Sequence, residues 1–224
     1  MSINMYGHVK YLLSVVGRAI AVPFCAYCRV LLADDTALCI ECVARLTPVV
    51  STTVEVTSSK TMKVIAISNY VDPIKFFILA KGHSNIAAAC QLGQLIWQHT
   101  SFKHMPCDVL VPVPLHWMRY ASRGYNQAEE IARVLGSYAQ KPVSSLVRRT
   151  HHTQFQSRIP FGSRHENVQD AFMLCVKNPK LYQGKHIIIV DDLMTSGATL
   201  RMVAKELLKL YPASITAVVA ARVV

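Results

Sequence analysis

The apolar and polar positions of this chain fall into blocks whose spacing predicts alternating strands and helices. Ile187 to Val190 form a run of β-branched residues, which is typical of a strand buried on both faces. Further strands are predicted at 64–67, 109–114 and 214–220, and helices at 73–81, 86–99, 127–140 and 200–211. Because strands and helices alternate from residue 64 onward, we predict an α/β fold with a parallel sheet flanked by helices.

The amino-terminal region lacks this alternation. An apolar run from Tyr11 to Val16 is interrupted by Gly17 and Arg18, and it is far shorter than a membrane-spanning helix. A secretory signal peptide is the alternative interpretation. We favour an amphipathic helix over residues 1–22 that packs on the rest of the chain, and we expect a cytoplasmic protein without a transmembrane segment.

Cysteines form the first candidate site. Two Cys-x-x-Cys pairs with ten residues between them supply Cys25, Cys28, Cys39 and Cys42. Thiolates at such spacing are the ligand set of a structural Zn²⁺ site. Disulfides, a redox-active pair and an iron–sulfur cluster are the alternatives. We favour Zn²⁺ and predict a small zinc ribbon over residues 23–47, with a hairpin between Arg29 and Leu38.

The ribbon and the main domain are joined by a polar segment. Residues 47–60 are rich in Ser, Thr and Val, and they predict a linker or an edge hairpin. We therefore expect the main domain over residues 60–224. The remaining cysteines, Cys90, Cys107 and Cys175, are isolated, and we predict that they are buried apolar residues.

The end of the strand at 187–190 carries the strongest candidate chemistry. Asp191 and Asp192 stand where this strand is predicted to end, and a loop of small and hydroxyl residues leads to the helix near Leu200. Backbone N–H groups and hydroxyls in such a loop can bind a phosphate. The carboxylates would repel a phosphate, and they suit the hydroxyl groups of a sugar. The combination predicts a ribose-5-phosphate site, and simple capping of the helix is the alternative.

A second polar segment follows the strand at 109–114. That strand ends in two prolines, and Arg-Gly-Tyr-Asn-Gln at 123–127 leads into the next predicted helix. Basic and amide side chains between a strand end and a helix start predict an anion site. The candidates are His116, Arg119, Arg123, Asn126 and Gln127.

Charge adds a prediction about partners. The formal net charge is +11, and residues 141–164 contain basic groups but no acidic residue. Basic groups around Phe155 suit contact with the phosphate backbone of a nucleic acid and stacking with its bases. The nucleic-acid candidates are Arg148, Arg149, Arg158 and Arg164. A solvated loop over the ribose-phosphate site is an equally good interpretation.

The motifs occur in an order that resembles the ComF family of competence proteins. The order is the four cysteines, Val-Pro-Val-Pro-Leu-His at 111–116, Arg-Gly-Tyr-Asn-Gln at 123–127, Arg-His-Glu-Asn-Val at 164–168 and the segment at 187–199. The resemblance covers about residues 22–222. It implies a type I phosphoribosyltransferase-like fold with a small amino-terminal zinc ribbon.

The resemblance also implies ligands and site residues. Phosphoribosyl pyrophosphate (PRPP), with Mg²⁺, is expected at Asp191, Asp192, Leu193, Met194, Thr195, Ser196, Gly197, Ala198 and Thr199. Arg123, Asn126 and Gln127 are expected near the pyrophosphate. Arg29 stands where the family often has Gly after the first cysteine pair, a departure that bears on turn geometry and not on the ligands.

Two functions follow from this resemblance. The first is an accessory role in natural transformation, in which the protein binds incoming single-stranded DNA in the cytoplasm and PRPP or a related ribose phosphate is a ligand. Competence-machinery proteins and the inner face of the membrane are further expected contacts. The second is phosphoribosyl transfer from PRPP to a nitrogen nucleophile. No residue set defines a general base or an acceptor site, so enzymatic activity stays open.

Overall fold

The computed structural model describes residues 23–34, 36–47, 49–80, 85–115, 124–150 and 171–223. Contacts divide the chain into two compact units, Met1–Arg45 and Leu46–Val224. The helix predicted over residues 1–22 lies outside the described residues. Among the helices of the described segments, none is long and apolar enough to span a bilayer.

A five-stranded sheet forms the centre of the larger unit. The strands are β1 (Val49–Thr57), β2 (Lys60–Asn69), β3 (Val109–Pro112), β4 (Val147–Arg149), β5 (Phe172–Leu174), β6 (His186–Met194) and β7 (Ser214–Arg222). The large sheet has the order β1-β2-β7-β6-β3, and β4 pairs with β5 in a separate antiparallel ribbon. Strands β2, β7, β6 and β3 are parallel, whereas β1 is antiparallel to β2.

Four helices of the larger unit cover both faces of this sheet, α2 (Ile74–Leu79), α3 (Ile86–His99), α4 (Gln127–Ala139) and α5 (Ala198–Leu208). The smaller unit contains one short helix in its described part, α1 (Ile40–Ala44). Helix α5 buries Leu200, Val203, Ala204 and Leu207, whose spacing places them on one helical face. This face packs with Ile187 and Ile189 of β6. Since side chains alternate along a strand, Ile188 and Val190 are buried on the opposite face, where α4 contacts β6.

The structure confirms the predicted α/β class and refines its edges. Residues 49–57 form β1, an antiparallel edge strand, so the edge-hairpin interpretation of residues 47–60 is correct. Strand β6 continues to Met194 because its backbone keeps pairing with β7 as far as Arg222. Asp191 and Asp192 therefore lie within the strand and not after its end. Helix α5 correspondingly begins at Ala198 rather than near Leu200.

Two local predictions are wrong. In the described part of residues 29–38 there is no pair of strands, and an isolated bridge joins Phe24 to Leu31. A tight turn, in which the N–H of Cys25 donates to the carbonyl oxygen of Val30 at 2.8 Å, takes the place of the hairpin. Of the three isolated cysteines predicted to be buried, Cys90 and Cys107 are only partly buried and Cys175 is exposed. The Sγ of Cys175 donates to the carbonyl oxygen of Ser145 at 3.1 Å.

Candidate functional site

The candidate site lies at the carboxyl ends of β3 and β6. These two strands are parallel neighbours, so their ends meet at one edge of the sheet, where α/β proteins bind ligands. Just beyond β3, the N–H of Val113 still donates to the carbonyl oxygen of Val190 at 2.9 Å. This hydrogen bond holds residues 113–115 close to the acidic pair that follows Val190.

A cavity of about 320 Å³ opens at this edge. Strand β6 and the loop after it contribute Asp191, Asp192, Leu193, Thr195 and Thr199 to its lining. The remaining lining consists of residues 113–115, residues 126–128 and Arg149. The volume is within the range of small-molecule sites, about 300–1,000 Å³. The structure thus brings the predicted acidic pair, two of the predicted hydroxyl groups and a guanidinium into one cavity.

The acidic pair is held in an unfavourable electrostatic environment. Asp191 is partly buried, and its carboxylate accepts a hydrogen bond from the N–H of Asp192 at 2.9 Å. Burial raises the pKa of the Asp191 carboxyl well above its usual range, and the negative charge of Asp192 adds to the increase. Hydroxyl donors or a divalent cation would relieve this repulsion. The pair is therefore suited to a sugar hydroxyl or to Mg²⁺.

The loop after β6 offers hydrogen-bond donors to an anion. Gly197 has a φ of +73°, and a Cβ at this position would lie 3.0 Å from Cγ2 of Val54. Only glycine fits this turn without strain. Helix α5 begins at the next residue, so its first N–H groups, which have no partner within the helix, point toward the loop. With Thr195 and Thr199 in the cavity lining, they form a donor set that suits a phosphate.

Asn126 connects helix α4 to the end of β3. Its Nδ2 donates to the carbonyl oxygen of Val113 at 3.0 Å, and its Oδ1 accepts from the N–H of Ala128 at 3.2 Å. The amide thus caps α4 and positions the segment after β3. Gln127 is 4% exposed and lines the cavity. Asn126 therefore fixes the position of the cavity wall through its hydrogen bonds, and Gln127 forms part of that wall.

The two arginines of β4 have different surroundings. Arg148 is exposed. Arg149 lines the cavity, and its guanidinium carbon lies 5.4 Å from the centre of the Phe172 ring on β5. A cation over an aromatic face is attracted by the ring, which helps to orient the guanidinium. Sequence reasoning assigned Arg149 to nucleic acid and missed its place in this cavity, because the pairing of β4 with β5 has no signal in the sequence.

Several residues that were predicted to contact a ligand lie outside the described residues or outside the cavity lining. His116, Arg119, Arg123, Arg158 and Arg164 lie outside the described residues. Within the predicted loop, Met194 is buried, and its carbonyl oxygen accepts from the N–H of Val223 at 2.8 Å. Ser196 and Ala198 are exposed, and the Oγ of Ser196 accepts from the N–H of Ala198 at 3.4 Å. Met194, Ser196 and Ala198 thus shape the loop, whereas their neighbours Leu193, Thr195 and Thr199 line the cavity.

The four cysteines converge in the smaller unit. The Sγ atoms of Cys25, Cys28, Cys39 and Cys42 all lie within 4.8 Å of one another, and those of Cys28 and Cys39 are 3.6 Å apart. Zn–S bonds of about 2.3 Å in a tetrahedron place sulfur atoms about 3.8 Å apart. The cluster therefore fits a single tetrahedral metal ion such as Zn²⁺.

The thiols of this cluster differ in pKa. Burial raises the pKa of Cys25, but backbone N–H groups of Cys28, Cys39 and Tyr27 outweigh burial and lower this pKa to about 6. Burial and the neighbouring thiols raise the pKa of Cys42. Four thiolates cannot accumulate at contact distance without a cation between them. This arrangement is typical of a metal site whose ligands ionise fully when the ion binds.

The comparisons with known proteins agree with this geometry. Residues 114–223 match the phosphoribosyl transferase domain family. The matched segment contains Asn126, Arg149, the acidic pair and the loop after it. The fold of the larger unit, a parallel sheet with an antiparallel edge strand and helices on both faces, is that of a type I phosphoribosyltransferase.

Curated relatives narrow this class. Competence protein F of Haemophilus influenzae is 31% identical over 157 residues, which are 66% of this chain and 67% of that protein. DNA utilization protein YhgH of Escherichia coli K12 is 28% identical over 66% of both chains. Competence protein ComFC of Bacillus subtilis is 35% identical over 45% of this chain and 38% of that protein. The chain belongs to the ComF family. Its matches span about two thirds of the first two relatives and less of the third.

Proposed function

We propose that this protein binds single-stranded DNA in the cytoplasm during natural transformation, and that the cavity beside β6 binds PRPP with Mg²⁺. One observation carries the PRPP assignment: Asp191, Asp192, Thr195, Thr199 and Arg149 line a single cavity at the carboxyl edge of the sheet. The carboxylates suit ribose hydroxyls or Mg²⁺, and the loop with the start of α5 suits the 5′-phosphate. Arg149 supplies a cation for the pyrophosphate.

The DNA assignment is supported by the family and by charge. The relatives are named for competence or for DNA utilization. The formal net charge of +11 favours a polyanionic partner. Exposed Arg148 is a proposed contact to the strand, as are Arg158 and Arg164. Structural Zn²⁺ at the four cysteines completes the proposal, because a unit this small needs a metal to fold stably.

Calorimetry with PRPP and Mg²⁺ tests the cavity assignment. The double variant Asp191→Asn, Asp192→Asn removes both carboxylates and keeps the size of each side chain. We expect it to lose PRPP binding, because amides cannot accept the same hydrogen bonds or bind Mg²⁺ equally well. Glu55→Gln, an exposed change on β1, is the control and should bind like the wild type. Unchanged PRPP affinity in the double variant would refute the assignment.

A titration of a single-stranded oligonucleotide at several salt concentrations tests the DNA assignment. If the strand is bound through several Lys and Arg residues, affinity must fall as salt rises, by about 0.7 log units per contacted phosphate for each log unit of salt. Absence of binding at low salt would exclude this function.

Phosphoribosyl transfer is the second candidate function. A further cavity of about 330 Å³ shares Pro114, Leu115 and Asn126 with the first, and Glu129 and Ser145 also line it. A nitrogen nucleophile in this second cavity would lie next to the ribose site, and positioning of the two reactants is a large part of catalysis. Release of pyrophosphate from PRPP that depends on an added amine or nucleobase would establish transfer. Release equal to that of the double variant would exclude it for the nucleophiles tested.

A further inference from the structure

The edge of the sheet opposite the PRPP cavity has a distinct surface. Because β2, β6 and β7 are parallel, their first residues, Lys60, His186 and Ser214, lie at one edge, which we call the amino-terminal edge. The acidic pair lies toward the other ends of these strands. A ligand at the amino-terminal edge would therefore be separated from PRPP by the length of the sheet.

Two basic stretches meet at this edge. The N–H of Gly184 donates to the carbonyl oxygen of Tyr211, and the N–H of Ala213 donates to that of Lys185, each at 2.9 Å. These bonds join residues 177–185 to residues 205–213. The two stretches contain five exposed lysines, Lys177, Lys180, Lys185, Lys205 and Lys209. Their one acidic residue, Glu206, accepts from Nζ of Lys209 at 2.6 Å. We call this area the lysine surface.

Two large apolar side chains lie exposed within the lysine surface. Tyr211 is 76% exposed and Leu181 is 64% exposed, more than any other large hydrophobic residue in the described part of Leu46–Val224. The backbone of Tyr211 is held by its N–H, which donates to Leu208 at 3.0 Å, and by its carbonyl oxygen, which accepts from Gly184. The ring is thus presented to solvent from a fixed backbone.

A groove lies beside the residues that follow Tyr211 in the chain. It has a volume of about 370 Å³, and Pro212, Ala213 and Ser214 form one part of its lining. The turn between β1 and β2 supplies Ser59, and the start of β2 supplies Lys60 and Thr61. Hydroxyls and an ammonium group are donors that suit a phosphate. An aromatic ring, lysines and a groove with phosphate donors therefore follow one another along this edge.

We propose that the lysine surface and its groove bind single-stranded DNA, with an unpaired base stacked on Tyr211 and the backbone running past Lys185 and Lys60. This inference rests on the DNA-binding function proposed above and gives that function a location. A single strand fits better than an anionic membrane, because two exposed apolar side chains are few for insertion whereas an exposed ring stacks with any unpaired base.

Fluorescence anisotropy with a labelled oligothymidine of about 20 nucleotides tests the stacking. We expect Tyr211→Ala to raise the Kd about 5- to 100-fold and Tyr211→Phe to bind like the wild type, since phenylalanine keeps a flat ring. The matched control is Phe76→Ala on α2, at the other edge of the sheet, whose ring is 40% exposed. Thermal unfolding of each variant shows that it is folded.

A charge reversal tests the path of the backbone. Lys185→Glu should weaken binding and lower the slope of log Kd against log salt by about 0.7 for each phosphate contact that is lost. Lys75→Glu on α2 changes the net charge equally and is the control, because Lys75 is an exposed lysine outside the lysine surface. It should leave the slope unchanged.

The outcomes separate this inference from the function on which it rests. Failure of the wild type to bind DNA would overturn the DNA-binding function itself. Binding that is insensitive to Tyr211→Ala and Lys185→Glu would overturn the lysine surface alone, as would a loss of binding on Arg148→Ala instead. Sedimentation with anionic phospholipid vesicles that depends on Lys185, with DNA binding unaffected by Lys185→Glu, would assign the surface to a membrane and also overturn the inference.

Discussion

Asp191 combines a partly buried carboxyl group with a neighbouring carboxylate, and this combination links folding to pH. Burial and the charge of Asp192 raise its pKa above that of the unfolded chain, about 3.9. Folding therefore favours the protonated carboxyl. Its stabilising contribution is fully present below the unfolded pKa and is lost as pH rises through the raised pKa.

The variant Asp191→Asn tests this linkage. The amide stays neutral at every pH, so we expect the variant to unfold at a higher temperature than the wild type at pH 8. The difference should shrink as the pH falls toward 4, where the wild-type carboxyl is protonated. Thermal unfolding across this pH range provides the measurement, with the exposed Glu55→Gln as control. A constant difference at all pH values would contradict the raised pKa.

Gly197 is a second residue at which folding and ligand binding meet. Gly197→Ala should destabilise the protein by about 1–2 kcal/mol because of its positive φ, and by a further amount because the new Cβ contacts Val54. Gly184 has a φ of +68° and open space around it, so Gly184→Ala isolates the backbone contribution. Urea unfolding should show a larger loss of stability for Gly197→Ala than for Gly184→Ala. Adding Val54→Ala should reduce the difference between these two losses. Equal losses would mean that the contact with Val54 is relieved without cost.

At the scale of single elements, Asn126 makes α4 part of the site. Asn126→Ala removes both the cap of α4 and the bond to Val113, so we expect a loss of about 1–2 kcal/mol in stability and weaker PRPP binding. Asn85→Ala is the matched control, because Asn85 caps α3 through the N–H of Ala88 at 3.2 Å. Asn85→Ala should lower the stability of the protein and leave its affinity for PRPP unchanged. An equal effect of both variants on PRPP affinity would contradict the positioning role of Asn126.

The elements were predictable where one signal dominates locally. The apolar run at 187–190 and the periodicity of 86–99 and 127–140 correspond to β6, α3 and α4. These elements were predictable because the spacing of their apolar residues follows from the face that each buries. The cluster of four cysteines was equally predictable from spacing. The extension of β6 beyond Val190 was not, because pairing with β7 overrides the polarity of Asp191 and Asp192.

Features that depend on contacts between distant segments could not be predicted from the sequence. Arg149 enters the cavity through the pairing of β4 with β5, which brings it over Phe172 from a position far along the chain. The meeting of Lys185 and Tyr211 likewise depends on backbone hydrogen bonds between two loops. Such contacts are set by tertiary packing, and no local pattern of residues records them.

At the scale of the whole molecule, the chain contains two compact units, and each contains one of the proposed ligand sites. The cysteine cluster lies in Met1–Arg45, and the cavity proposed for PRPP lies in Leu46–Val224. Binding stabilises the segments that contact a ligand, by about 2.7 kcal/mol when the ligand is at 100 times its Kd. The two ligands should therefore protect different parts of the backbone.

Hydrogen exchange can separate these effects. We expect PRPP with Mg²⁺ to slow exchange in residues 191–200 and 113–115, and removal of Zn²⁺ by a chelator to speed it in residues 23–45. The double variant Asp191→Asn, Asp192→Asn should lose the first response and keep the second, whereas Cys28→Ser should do the reverse. Cys175→Ser is the control for loss of a thiol, because Cys175 is exposed and lies outside the cluster. If chelation instead accelerated exchange at 191–200 as strongly as at 23–45, the metal would support the PRPP site as well as its own unit.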